Sequence, residues 1–233
     1  MVVWMITIPF LYSQTFNTLT PKEKKEGWIL LFDGVNTSQW KSANDQPFKA
    51  SGWEIKNGVL GIKPVPGSQN YTDIVTQNEY SDFELTVDFK TTPGANSGIK
   101  YFYTKYEKGG YLGFEYQILD DNLNQDANEG HDGNRMCGSF YDMIPTSPSK
   151  KLNAIGEWNT ARIVSKGKHV EHWLNGGKIL EFDRGSKAFM DALKRSKFKS
   201  TVPVFGEVPK GEILLQYHGS EVWFRNIKIR ILK

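Results

Sequence analysis

A chain of 233 residues has room for one large domain or two small ones, and its 39% hydrophobic and 13% aromatic residues, with 22 Gly and 10 Pro, exclude a disordered or collagen-like chain. Lys and Arg outnumber Asp and Glu by only 29 to 26, too small an excess to imply a polyanionic partner without a basic stripe. The one cysteine, Cys137, excludes an intrachain disulfide, and with no nucleophile signature around it the thiol reads as buried or incidental.

The first element is the apolar run Val2 to Tyr12, VVWMITIPFLY. It has the length of a signal-peptide core and falls well short of the roughly 20 residues of a membrane span. Ser13 offers a small residue for cleavage, although the basic n-region is missing and Leu11 is a poor residue two places before it. Residues 1–13 are therefore expected to be a signal peptide, and the protein to be exported, periplasmic or extracellular; no later segment could span a membrane. Residues 14–26, polar and lysine-rich, read as a linker with one helical turn after the Thr20-Pro21 start signal. The folded domain, 27–233, is expected to begin near Trp28.

From there the chain runs through ten short apolar-alternating stretches broken by Gly, Asn and Pro. In FELTVDFK, Phe83, Leu85, Val87 and Phe89 share one face while Glu84, Thr86, Asp88 and Lys90 share the other, so one face is core and one is wet. Asn57-Gly58 and Asn175-Gly176-Gly177 supply the positive φ that tight hairpins need. One helix is predicted in Lys187 to Lys199, where Ala188, Phe189, Ala192 and Leu193 make the apolar stripe. Its basic residues form an ordinary solvated face with no aromatic stacking platform, which excludes a nucleic-acid partner. Many antiparallel strands, one short helix in a rim loop and no βαβ rhythm predict an all-β, two-sheet antiparallel sandwich, with a β-barrel as the competing architecture. The stretches 121–149 and 185–209 read as long rim connections, where sites tend to sit.

The stretch that carries most of the chemistry is GFEYQILDD. If Phe114, Tyr116 and Ile118 pack inward, Glu115 and Gln117 lie in one row on the opposite face, either as solvent decoration or as a binding floor. The following loop, DDNLNQDANEGHD, imitates a calcium loop at Asp120, Asn122 and Asn124 but has Gln125 where Gly is required and His131 where Glu is required. A looser divalent-metal site using Asp121, Asp126, Glu129, His131 or Asp132 stays open. His169 and His172, three apart on a strand, face opposite sides and cannot share a metal. His218, where a strand runs into a Gly-containing turn, is the best general acid or base the chain offers. No nucleophile elbow, P-loop or dinucleotide fingerprint occurs. A retaining glycosidase would want two carboxylates about 5 Å apart, and the i+2 partner of Glu115 is an amide.

In order and completeness, GWILLFDGVNTSQWK, SGWEIKNGVL, DFELTVDFK, NSGIKYFY, FEYQILDD, NRMCGSFYD, GEWNTARIV, VEHWLNG and ILLQYHGSEVWFRNIKI resemble the bacterial 3-keto-disaccharide hydrolase family, over nearly all of Gly27 to Leu232. The resemblance implies a concanavalin-like jelly roll that acts on an oxidised glucoside or disaccharide. A C3 ketone acidifies the C2 hydrogen, so a base removes it, the C1 aglycone is eliminated, and water adds later. It further implies Glu115 and His218 as base and acid; Gln117, Asp120, Lys100 and Arg225 as substrate contacts; and Tyr141, Asp142 and His172 as further contacts. No metal ligand or certain cofactor is implied, and a divalent metal remains open. Many relatives continue the LDD stretch into His-Pro-Asp-Ala, where this chain has Asn124, Gln125, Asp126 and Ala127, which puts a histidine-dependent metal role there in doubt. The alternatives from other classes are a non-catalytic carbohydrate-binding module and a structural domain whose concave face binds a protein.

Overall fold

The computed structural model describes residues 16–43, 46–48, 51–64, 67, 72–107, 109–201 and 205–233. The expected signal peptide, 1–13, lies outside the described residues. After a short helix α1 (Pro21–Lys25), the strands are β1 (Trp28–Leu30), β2 (Trp40–Ser42), β3 (Trp53–Lys56), β4 (Val59–Ile62), β5 (Ile74–Tyr80), β6 (Phe83–Thr91), β7 (Asn96–Tyr106) and β8 (Gly110–Leu119). Then come β9 (Asn159–Lys166), β10 (His169–Leu174), β11 (Gly177–Asp183), helix α2 (Lys187–Arg195), β12 (Gly211–Leu215) and β13 (Val222–Ile231).

Every pairing is antiparallel, and the strands form two sheets. The larger has the order β11-β10-β9-β6-β13-β4-β3, with β1 also on β13; the smaller has the order β2-β5-β12-β7-β8. This is the two-sheet jelly-roll sandwich that the alternation predicts, with edges that do not close into a barrel. Phe83, Leu85, Val87 and Phe89 of β6 are buried against Ile99, Tyr101, Phe114, Tyr116 and Ile118 of the smaller sheet. Asn57 and Asn175 adopt φ of 52° and 49°, each followed by a positive-φ glycine, so both predicted hairpin turns form.

One irregularity shapes the smaller sheet. Between Tyr101 and Thr104 the β7–β8 register shifts, and Phe102 takes φ 52°. The bulge sends both Tyr101 and Phe102 into the core. It is accommodated by Gly211 on β12, where a Cβ would stand 2.4 Å from the Phe102 carbonyl carbon. Helix α2, capped by Ser186, lays Phe189, Ala192 and Leu193 on this aromatic core, with Phe189 5.8 Å from Phe114 centre to centre.

The polar stretch before Trp28, expected to be a linker, is seated on the body from residue 16 onward. Asn17 and Asn226 exchange hydrogen bonds, each backbone N–H donating to the other's amide oxygen at 2.7 and 2.8 Å. Thr20 and Glu23 close a capping box around α1, and Lys228 pairs with Glu23.

Candidate active site

The cleft is built on the outward face of the smaller sheet. Period-2 alternation puts Asn96, Gly98 and Lys100 on one face of β7, and the register sets Gln117 opposite Gly98 and Glu115 opposite Lys100. On the other side, the chain after β12 brings Gln216 alongside, its N–H donating to Gly98 O at 2.9 Å and its carbonyl accepting from Ser97 Oγ at 2.8 Å. Gly98 therefore occupies the centre of a row in which every neighbour carries a polar side chain. Its φ is ordinary for a strand, so the glycine is there for space: a Cβ would lie 2.6 Å from Glu115 Oε1.

The roof comes from three rim segments. Residues 138–141 run beside β8, Gly138 N–H donating to Gln117 O at 2.7 Å and Tyr141 N–H to Glu115 O at 3.0 Å, which hangs Tyr141 over the floor. Asp126 approaches from the short helix Gln125–Asn128 and accepts from the Tyr141 hydroxyl at 3.2 Å. Lys197 follows α2, with its Nζ 4.1 Å from the centre of the Tyr141 ring. His218 is exposed at the mouth. With Asn96, Lys100, Glu115, Gln117 and Gln216 these residues line an open cleft of about 80 Å³. At about 30 Å³ per water that is room for two or three waters.

One guanidinium organises the roof. Arg135 Nε donates to Asp142 Oδ1 at 2.7 Å, and its Nη1 donates to Asp126 and Glu129, each at 2.8 Å. Asp142, in the left-handed region at φ 59°, uses its other oxygen to accept the Lys197 N–H at 2.6 Å. Tyr141 and Lys197 are thus held through the two carboxylates that Arg135 joins.

The electrostatics centre on Glu115, whose side chain is only 7% exposed. Burial pushes its carboxyl above the usual range; Lys100, Lys197 and His218 oppose that, and the charge of Asp73 adds to it. Lys100 Nζ lies 3.6 Å from Glu115 Oε2. Asp73, just before β5, is also raised by burial, against the Tyr217 N–H bond and the nearby Lys100 and His218. Partial burial pulls the Lys197 ammonium below the usual lysine range, against the pull of Glu115 and Asp142. The arrangement offers one shielded carboxyl with base strength above that of a free glutamate, two ammonium groups beside it, and an imidazole at the mouth.

Of the residues expected from sequence, Glu115, Gln117, Lys100, Tyr141 and His218 come together here. Asp120 is buried at the end of β8, where it accepts from the N–H groups of Gly94, Asn122 and Leu123; it shapes the strand end and does not line the cleft. Asp142 braces the roof from behind. His172 is in the core between the sheets, bonded to Tyr101 Oη at 2.8 Å and Gly138 O at 2.9 Å, and burial depresses it to about 4. Arg225 belongs to the larger sheet, stacked 4.0 Å over Trp158 and 3.5 Å from Asp88. Neither His172 nor Arg225 reaches the cleft. The expectation did not include Asn96, Lys197 and Gln216, and it named Asp126 only as a possible metal ligand; all four line the cleft. A signal for Gln216 was available, because Gln216 and His218 are two apart in QYH and would share one side if the chain stayed extended past β12.

In the loop where a divalent metal stayed open, Asp121 pairs with Lys150 at 2.6 Å and Asp126 and Glu129 pair with Arg135, so protein cations already neutralise three of the five candidates. Among the described residues, the side chains spaced for a metal are His169, Glu171 and Glu181 on the β10–β11 hairpin of the larger sheet, where Lys178 already bonds both glutamates. His169 and His172 do face opposite sides of β10.

Fold and cleft together define a jelly-roll sandwich with a titratable, lysine-flanked cleft on its smaller sheet. Residues 27–230 match the family described as 3-keto-alpha-glucoside-1,2-lyase-like domain, and the chain belongs to that family. It is 33% identical over 231 residues to a 3-keto-disaccharide hydrolase of Bacteroides thetaiotaomicron, covering 89% of this chain and 79% of that protein. It also resembles a crystal structure from Parabacteroides distasonis, of a protein classed by inference as a glycosyl hydrolase, with 34% identity, a TM-score of 0.82, and coverage of 94% of this chain and 100% of that one. A second Parabacteroides distasonis structure, classed in the same way, is 34% identical with a TM-score of 0.67, covering 88% and 99%.

Proposed function

We propose that the protein is a carbohydrate-acting enzyme that cleaves 3-keto-glucosides, including 3-keto-disaccharides, by elimination followed by hydration. In this reading Glu115 takes the C2 proton, the C2–H electrons form the C1–C2 double bond, and the C1–O electrons leave with the aglycone oxygen, which His218 protonates. Lys100 and Lys197 hold the C3 oxygen as negative charge develops on it. Water then adds across the enone, its oxygen to C1 and a proton to C2, returning the 3-keto sugar. The observation that carries this reading is a buried, raised carboxyl lining the cleft, with a lysine directly opposite it on the neighbouring strand. The other cleft carboxylate, Asp126, is engaged by Arg135 and Tyr141, as suits a reaction that needs one base and not a glycosidase acid pair. The family and the name of the Bacteroides relative support the oxidised substrate. Export belongs to the same reading and rests on the apolar run at residues 2–12; sequencing the amino terminus of secreted protein tests it.

A chromogenic 3-keto-glucoside should release its aglycone while the unoxidised glucoside does not, and Glu115→Gln should lower kcat by about 10²- to 10⁴-fold, the range for a general base. Equal turnover of both glucosides would overturn the substrate, and full activity in both Glu115→Gln and His218→Ala would overturn the roles. Sugar binding with no turnover, with or without added divalent metal, would make the domain a binding module.

A further inference from the structure

Amide oxygen and nitrogen are told apart by their partners. For two glutamines in the cleft, one orientation makes the better bonds: it satisfies both ends of Gln216, and for Gln117 it trades a 3.5 Å contact from Nε2 to Asn96 Oδ1 for two shorter ones. Gln117 Nε2 then donates to Ser97 O at 2.9 Å and to Glu115 Oε1 at 3.1 Å. Gln216 Nε2 donates to the same Oε1 at 3.2 Å, while Gln216 Oε1 accepts from Lys100 Nζ at 3.3 Å. Both glutamines reach Oε1 because Gly98, between them in the row, has no side chain.

Resting on the catalytic role of Glu115 given above, we infer that Gln216 and Gln117 are positioning residues that occupy Glu115 Oε1 and leave Oε2 as the single oxygen that takes the proton. Gln216 does a second thing: one amide spans the base and the cation, so the carboxylate and Lys100 Nζ are held in a fixed relation. Oε2 faces Lys100 at 3.6 Å, so the proton-accepting oxygen and the oxyanion-holding ammonium lie side by side, where C2 and the C3 oxygen of one sugar ring would meet them. Gln117, which the family resemblance implies as a substrate contact, thereby serves the base.

The amides donate to the charged form of Glu115 and so favour it. Losing either raises the pH at which the carboxyl ionises. The test uses the full chain and two near-isosteric apolar variants, Gln216→Met and Gln117→Met, with two readouts. The first is an NMR titration of the Glu115 carboxyl carbon in the free protein, its resonance identified by its loss in Glu115→Gln. The second is the pH profile of kcat on the chromogenic 3-keto-glucoside. In each variant the titration should move up by about one pH unit, and kcat on the acid limb should fall about tenfold with it. A merely structural glutamine would change stability and leave both midpoints in place. Unmoved titrations in both variants overturn the clamp; should Gln216→Met fail to fold, Gln117→Met alone decides it. If the titration moves but the wild type does not turn over the 3-keto-glucoside, the clamp stands and the proposed reaction fails.

Discussion

Gly98→Ala isolates the geometry of the cleft floor from its chemistry, since it removes no functional group. The added Cβ would stand 2.6 Å from Glu115 Oε1 and 3.1 Å from both Cγ and Cδ, so the carboxyl must retreat about 0.8 Å to reach ordinary contact at 3.4 Å. A shift approaching 1 Å in a reacting group costs on the order of 10²-fold in rate. Stability should move by no more than a comparable amount. Overpacking costs about 1–3 kcal/mol, and replacing glycine within a strand returns roughly 0.5–1 kcal/mol. The net loss of at most about 2.5 kcal/mol corresponds to a Tm lower by roughly 5–10 °C in a domain of this size. Steady-state kinetics on the chromogenic 3-keto-glucoside, with a thermal melt of the same preparation, measures both quantities. A folded Gly98→Ala with wild-type kcat would show that the position of Glu115 does not matter, and the placement of the base at the floor would fall with it.

Arg135→Met should lower stability by about 3 kcal/mol, the low end for a pair in which only Asp142, 5% exposed, is fully buried, because it strands that carboxylate without its guanidinium. It should also raise KM as Tyr141 and Lys197 lose their brace; a wild-type Tm and KM would refute the guanidinium's role in the roof. His172, held neutral in the core at about 4 against about 6.5 in the unfolded chain, contributes stability that is present above pH 6.5 and is lost as pH falls through 4. Between pH 7 and 4 the loss is about 3 kcal/mol, at 1.36 kcal/mol per unit. Urea unfolding across that range should therefore show a shallower acid-side decline in His172→Gln than in the wild type, and parallel curves would refute the burial argument.

What the sequence made legible was whatever follows from local periodicity. The β6 alternation, the two Asn-Gly turns and the Glu115/Gln117 row each need only neighbours along the chain, and each forms as the pattern implies. The cleft itself depends on strand order. β12 inserts between β5 and β7, more than a hundred residues earlier, and only that insertion sets Gln216 beside Gly98. Lys197 was hidden for another reason: it belongs to a basic stretch that reads as the solvated face of a helix, but α2 stops at Arg195, and Ser196 turns the chain so that the next lysine overlooks Tyr141. Arg225 shows the converse error, a cation chosen for its charge within a matching stretch, when the strand that carries it lies in the other sheet.

The place of β13 has a consequence for the order in which the molecule can be completed. Among the described strands it is the last in chain order, yet it lies in the middle of the larger sheet, bonded to β1, β4 and β6. Until it emerges, β6 has no partner on that side and Asn17 has no Asn226 to clasp. Most of the contacts that unite the two halves of this sheet therefore form only after β13 has been made, with the slow closure that such non-local pairings bring. A nascent chain halted before residue 222 would lack the middle of the sheet, leaving two unjoined groups of strands and an unpaired β1, with open edges for any neighbouring chain to pair with.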